Sequence, residues 1–104
     1  MTNRPATALE RLQRQLQELD ALSKQTLKDL NTVAGTERVA KWKSTTVALL
    51  METVGRQEGQ RFAGIHPGPC FTNDMVEEFT DLVECYRTAL AQQLLQLSRP
   101  ASGA

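Results

Sequence analysis

A chain of 104 residues with twelve basic and twelve acidic side chains is one domain or a part of a larger protein, and it lacks the cationic excess on which strong general binding of nucleic acid is built. The N-terminus "MTNRPATALERLQRQ" holds no apolar run, so it reads as neither signal peptide nor anchor, and no stretch approaches the length of a bilayer span. Cys70 and Cys85 have no third soft ligand beside them; a disulfide is open to them, but reduced thiols in a cytoplasmic protein are the expectation.

The expected fold is all-α, a small bundle of three helices, or four if the connection before the last one contributes a turn. The first helix is expected over 8–33, after a flexible tail over 1–7 that ends near Pro5, with Thr7 and Glu10 spaced as a capping box. Leu9, Leu12, Leu16 and Leu19 repeat at helical spacing, and Leu22, Leu27, Leu30 and Val33 continue the stripe after a shift in phase. The stripe is narrow and the rest of the surface is polar, which suits an outer helix of a bundle or an arm that self-associates. Leu9, Leu12, Leu16, Leu19, Leu27 and Leu30 are therefore the candidate interaction residues.

"AGTE" reads as a break, with Gly35 closing the first helix and Thr36 capping a second over 36–54. Val39, Trp42, Thr46, Leu49, Leu50 and Thr53 lie near one face of it, and Gly55 is a natural stop. Trp42 is expected to anchor the core, with Lys41 and Lys43 as solvated neighbours. Residues 56–71 form an irregular connection in which "RQEGQRFAGI" can hold a short helical turn, with Phe62 and Ile65 tucked onto the core, before "HPGPCF" ends regular structure. A connection of this length is the first place to look for a surface role, including a small ligand held beneath it.

The last helix is expected over 73–97, followed by a tail over 98–104 that reads as a frayed end or a linker to something longer. Phe71 and Val76 are spaced as a hydrophobic staple around Thr72, while Asp74 and Glu77 offer a competing capping box. Met75, Phe79, Leu82, Val83, Tyr86, Leu90, Leu94 and Leu97 make a broad stripe. The expected core anchors are Trp42, Leu50, Phe62, Phe79 and Tyr86.

Catalytic chemistry is not indicated. His66, the sole histidine, stands four residues before Cys70, but a zinc site needs two more ligands and only Cys85 remains. A Cys70 nucleophile with His66 as base has no orienting group or oxyanion donors in view. No glycine precedes the Lys-Ser or Lys-Thr pair of a phosphate loop. Glu77, Asp81 and Glu84 form an acidic ridge, yet the Glu-x-x-His elements of a diiron bundle are missing. The expectation is a protein that is not an enzyme and has no catalytic residue, metal or other cofactor.

The combination of Trp42, the apolar "VALL" segment, Gly55, Phe62 and a closing leucine-rich helix resembles the helical region at the front of some bacterial effector proteins, which carry a downstream TIR-like or other nucleotide-handling domain. The likeness covers Val39 to Leu97. Ser44, Thr45 and Thr46 stand where that pattern has an arginine-threonine pair. The resemblance implies an accessory or assembly module and assigns no active-site residue.

The reading that follows is a non-catalytic helical module that forms a homo-oligomer, a dimer first of all, or docks another protein, without nucleic acid or membrane. The alternative is a small regulatory nucleic-acid-binding protein using Arg38, Lys41, Lys43, Arg56 and Arg61, which requires those side chains to converge.

Overall fold

The computed structural model describes residues 4–68 and 74–98, with side chains over 8–68 and 74–97. It is all-α: α1 spans Arg4–Asp29, α2 Thr32–Thr53, α3 Arg56–Ala63 and α4 Met75–Ser98, and no strand occurs among the described residues. Three long helices and one short one match the expected bundle of three or four helices, with the connection before the last helix supplying α3.

The first boundary lies elsewhere than "AGTE". α1 begins at Arg4, so Thr7 is inside the helix rather than at its cap, and Pro5 sits in the first turn, where its missing N–H forfeits no helical bond. At the other end the chain turns at Leu30 and Asn31. Leu30 has φ 58°, a left-handed conformation that ends the helix. Its N–H still reaches the Thr26 carbonyl at 2.7 Å. Asp29 Oδ1 accepts the Asn31 N–H at 3.0 Å, and Asn31 Oδ1 in turn accepts the Ala34 N–H at 3.2 Å, which caps α2. Two short polar side chains make the corner, and Thr36 is one turn into α2 with its hydroxyl donating to the Thr32 carbonyl.

Gly35 is therefore not a stop. It is buried within α2, and a Cβ built on it would meet Thr26 Cγ2 at 2.4 Å, Thr26 Oγ1 at 2.6 Å and Phe79 Cε1 at 3.0 Å. The residue is small because α1, α2 and α4 converge there. Gly59 has the same role where α3 lies on α2, since a Cβ would stand 2.2 Å from Met51 Cγ and 3.0 Å from the Val47 carbonyl oxygen.

α2 runs back along α1, and α4 then packs against both. Gly35, Val39, Trp42, Thr46 and Leu50 form its buried face, at the spacing of one helix stripe. From α1 come Leu12 and Leu19, from α3 Phe62, and from α4 Phe79, Val83, Tyr86 and Leu90. Burying each such side chain stabilises the fold by about 1.5–3 kcal/mol before entropy is counted. Trp42, Leu50, Phe62, Phe79 and Tyr86 are all buried. Trp42, Phe62 and Tyr86 form an aromatic triangle with ring centroids 6.1–6.3 Å apart, within the range of favourable edge and tilted pairs.

Polar groups inside the bundle are tied off. The Trp42 indole N–H donates to the Gln15 carbonyl at 2.7 Å, and the Gln15 side-chain amide donates to the Thr46 hydroxyl at 2.8 Å. That hydroxyl donates in turn to the Trp42 carbonyl at 2.8 Å. Gln15 is buried although it stands among the polar residues outside the leucine stripe, and this network ties α1 to α2. Lys43 also departs from the expected solvated position. Its ammonium donates to the Ile65 carbonyl at 2.7 Å and the Tyr86 hydroxyl at 3.3 Å, and stands 4.7 Å from the Tyr86 ring centroid.

At the start of α4 the Asp74 carboxylate accepts the N–H groups of Val76 at 2.9 Å and Glu77 at 3.3 Å. Phe71 and Thr72 of the expected Phe71–Val76 staple, and Cys70 with its expected pairing to His66 or Cys85, lie outside the described residues, as do 1–3 and 99–104. Arg87 clasps Asp20 across α4 and α1, Nε to Oδ1 at 2.9 Å and Nη2 to Oδ2 at 3.4 Å. The hydrogen bond to that carboxylate, and then its charge, hold the Arg87 pKa above the ordinary arginine value.

Candidate interaction surface

The leucine stripe of α1 divides in two. Leu12 and Leu19 are fully buried and Leu16 packs against the same core, so the face expected to meet another chain is turned toward this chain's own α2 and α4. Leu9 is half-buried. The phase shift after Leu19 marks the change: Leu27 and Leu30 lie off the inward face and are 40% and 64% exposed. The interaction candidates that reach solvent are therefore at the C-terminal end of α1.

The same end of the bundle carries more apolar surface. Val33, in the first turn of α2, is 63% exposed, and Met75, the first residue of α4, is 56% exposed. α4 begins where α1 ends, because the two run antiparallel, as the Thr26–Gly35–Phe79 crossing and the Asp20–Arg87 clasp fix. A groove of about 820 Å³ opens between the N-terminal halves of α2 and α4. Val33, Met75, Phe79 and Leu82 supply its apolar lining, and Pro67 and Gly68 border it as well. Glu37, Glu78 and Asp81 also line it, and none of its described lining residues is Lys, Arg or His. Val33 and Met75 read in the sequence as ends of core stripes; the left-handed turn at Leu30 leaves Val33 outside, and only the packing brings the two to one place.

The basic residues do not form one surface. Arg38 and Lys41 line a groove against α1, beside Glu18 and Trp42, whereas Lys43 turns toward Tyr86 and the end of α3. Arg61 borders a third depression with Glu58. Arg38 is half-buried, and its Nη1 lacks a hydrogen-bond partner. Arg38, Lys41, Lys43 and Arg61 thus lie at three separate places and do not converge into a phosphate-binding patch.

Among the described residues no group of three or more His, Cys, Asp or Glu could hold a metal ion. His66 is exposed and Cys85 half-buried against the α2–α4 groove. No described helix is long and apolar enough to cross a membrane. The comparisons give no match. No protein-family model, curated protein or solved structure aligns with the chain, and its functional reading rests on its own residues.

Proposed function

We propose that this chain is a non-catalytic helical docking module, whose binding surface is the end of the bundle formed by the α1–α2 turn and the N-terminus of α4. The observation that carries the reading is the exposure at this end of four large apolar side chains, Leu27 and Leu30 at the end of α1 and Val33 and Met75 on the lining of a groove that also carries Glu37, Glu78 and Asp81. Scattered apolar residues are ordinary on a protein surface, but a concentration of them beside a groove marks a place where a partner removes them from water. The resemblance to the front region of bacterial effectors fits the same role, that of an accessory to a domain that handles nucleotides.

The test is a pair of substitutions that leave the core alone, Val33→Glu with Met75→Glu. Both sites are exposed, so stability is expected to change by less than about 0.5 kcal/mol. Cross-linking of the tagged chain in its native cells, followed by titration calorimetry with the purified cross-linked protein, is expected to show a complex that the substitutions abolish. A complex indifferent to them, or the lack of any complex, would overturn the docking reading.

A further inference from the structure

The last two turns of α1 present a basic counterpart to the groove. Lys24, Leu27 and Lys28 have the i, i+3, i+4 spacing of one helix face, and Leu30 follows just past the helix end. All four are exposed. The remaining charge at the tip, Asp29, is engaged with the Asn31 N–H in the turn. The ridge is therefore apolar flanked by lysines, and the neighbouring groove is apolar flanked by Glu37, Glu78 and Asp81.

We infer that the occupant of the groove is a second copy of this chain, which seats its Lys24–Leu30 ridge there. This rests on the docking reading above and names its partner. Leu30 and Val33 are three positions apart across the α1–α2 corner, so ridge and groove are neighbours on one end of the bundle. A two-fold axis through that end places each ridge in the other copy's groove, a closed and self-complementary contact. Leu27 and Leu30 of one copy then cover Val33, Met75 and Leu82 of the other, while lysines meet carboxylates twice over. With equal numbers of acidic and basic side chains, the copies have no net charge to repel one another at neutral pH.

Charge reversal tests this with exposed residues only. One variant reverses the groove (Glu78→Lys with Asp81→Lys) and another reverses the ridge (Lys24→Glu with Lys28→Glu). Sedimentation at low salt is expected to give wild-type protein twice the chain mass of 11.6 kDa, with dissociation as salt rises. Each variant places like charges across both contacts, and its dissociation constant should rise by at least about tenfold. Mixed in equal amounts, the two variants pair opposite charges at both contacts, and the dimer mass should return. Circular dichroism on each variant separates lost assembly from lost folding.

A monomeric wild type up to about 200 µM, a dimer unmoved by either reversal, or a mixture that stays monomeric despite folded components would overturn the inference. If a complex with a different protein, sensitive to Val33→Glu with Met75→Glu, persisted in that case, the docking reading would stand and only the identity of the partner would fall.

Discussion

Replacing Gly35 by alanine sets two opposed effects against each other. Alanine in a helix interior is favoured over glycine by about 1 kcal/mol, so an exposed Gly35 would yield a more stable protein. Gly35 is instead at the crossing of three helices, where the new methyl would stand 2.4 Å from Thr26 Cγ2 and 2.6 Å from its Oγ1. Rotating Thr26 does not clear the space, because it is β-branched, fully buried and held by a 2.9 Å hydrogen bond to the Leu22 carbonyl. Phe79 Cε1 would stand 3.0 Å from the same methyl, and its side chain is 2% exposed. The helices must part, and overpacking of this kind costs about 1–3 kcal/mol. Against the gain of about 1 kcal/mol this leaves a net loss of up to about 2 kcal/mol, and a fall in Tm of up to roughly 16 °C. Thermal melts followed by circular dichroism read this directly. The decisive background is Thr26→Ala: removing both crowding atoms should make the same Gly35→Ala change neutral or stabilising. A rise in Tm in the parent protein would refute the close crossing. An equal loss in both backgrounds would point to a backbone requirement at residue 35 instead.

Two further substitutions probe the core and the clasp. Trp42→Ala removes one corner of the aromatic triangle and the donor to the Gln15 carbonyl, and should cost about 3–5 kcal/mol in urea unfolding. Trp42→Phe keeps part of the ring volume but not the N–H and should cost less; an unchanged transition in both would move Trp42 out of the core. Asp20→Asn breaks a two-pronged contact whose side chains are each 43% exposed, so the loss should stay below about 1 kcal/mol and shrink as salt rises. A raised arginine pKa gives stability that is complete below the unfolded value and is lost only as pH climbs past the folded one. The Arg87 contribution should therefore be level between about pH 6 and 9. A loss above about 2 kcal/mol, or a clear slope through that pH range traced to this pair, would mark the clasp as more than a surface contact.

The helical class and most of the inward positions were legible in the sequence, because they depend on periodicity. A leucine or aromatic every third or fourth residue makes a stripe, and a stripe must be covered; Trp42, Leu50, Phe79 and Tyr86 followed from that alone. The cap at Asp74 was legible too, since a carboxylate bonding N–H groups two and three residues on is a local event. Local rules are weaker where one residue type has two uses. Glycine ends helices and also lets helices touch, and only the arrival of Thr26 and Phe79 from distant positions decides that Gly35 does the second. The corner falls at Leu30 and Asn31, and five residues expected in the first helix or its break, Asn31 to Gly35, belong to α2 or its cap.

The same division holds for the candidate surface. The sequence named Leu27 and Leu30 among six leucines and set them out of phase with Leu12 and Leu19, but a phase shift does not say which of the two sets is covered. Lys43 looked like its neighbour Lys41, and Gln15 like Gln13 and Gln17, although packing removes one of each set from water. By itself the sequence determined that helices form, which residues they would rather hide, and that the charges balance. Tertiary structure decided which apolar residues are left over and that they gather at one end, because exposure depends on what arrives from elsewhere in the chain, and a short window of sequence holds no record of that.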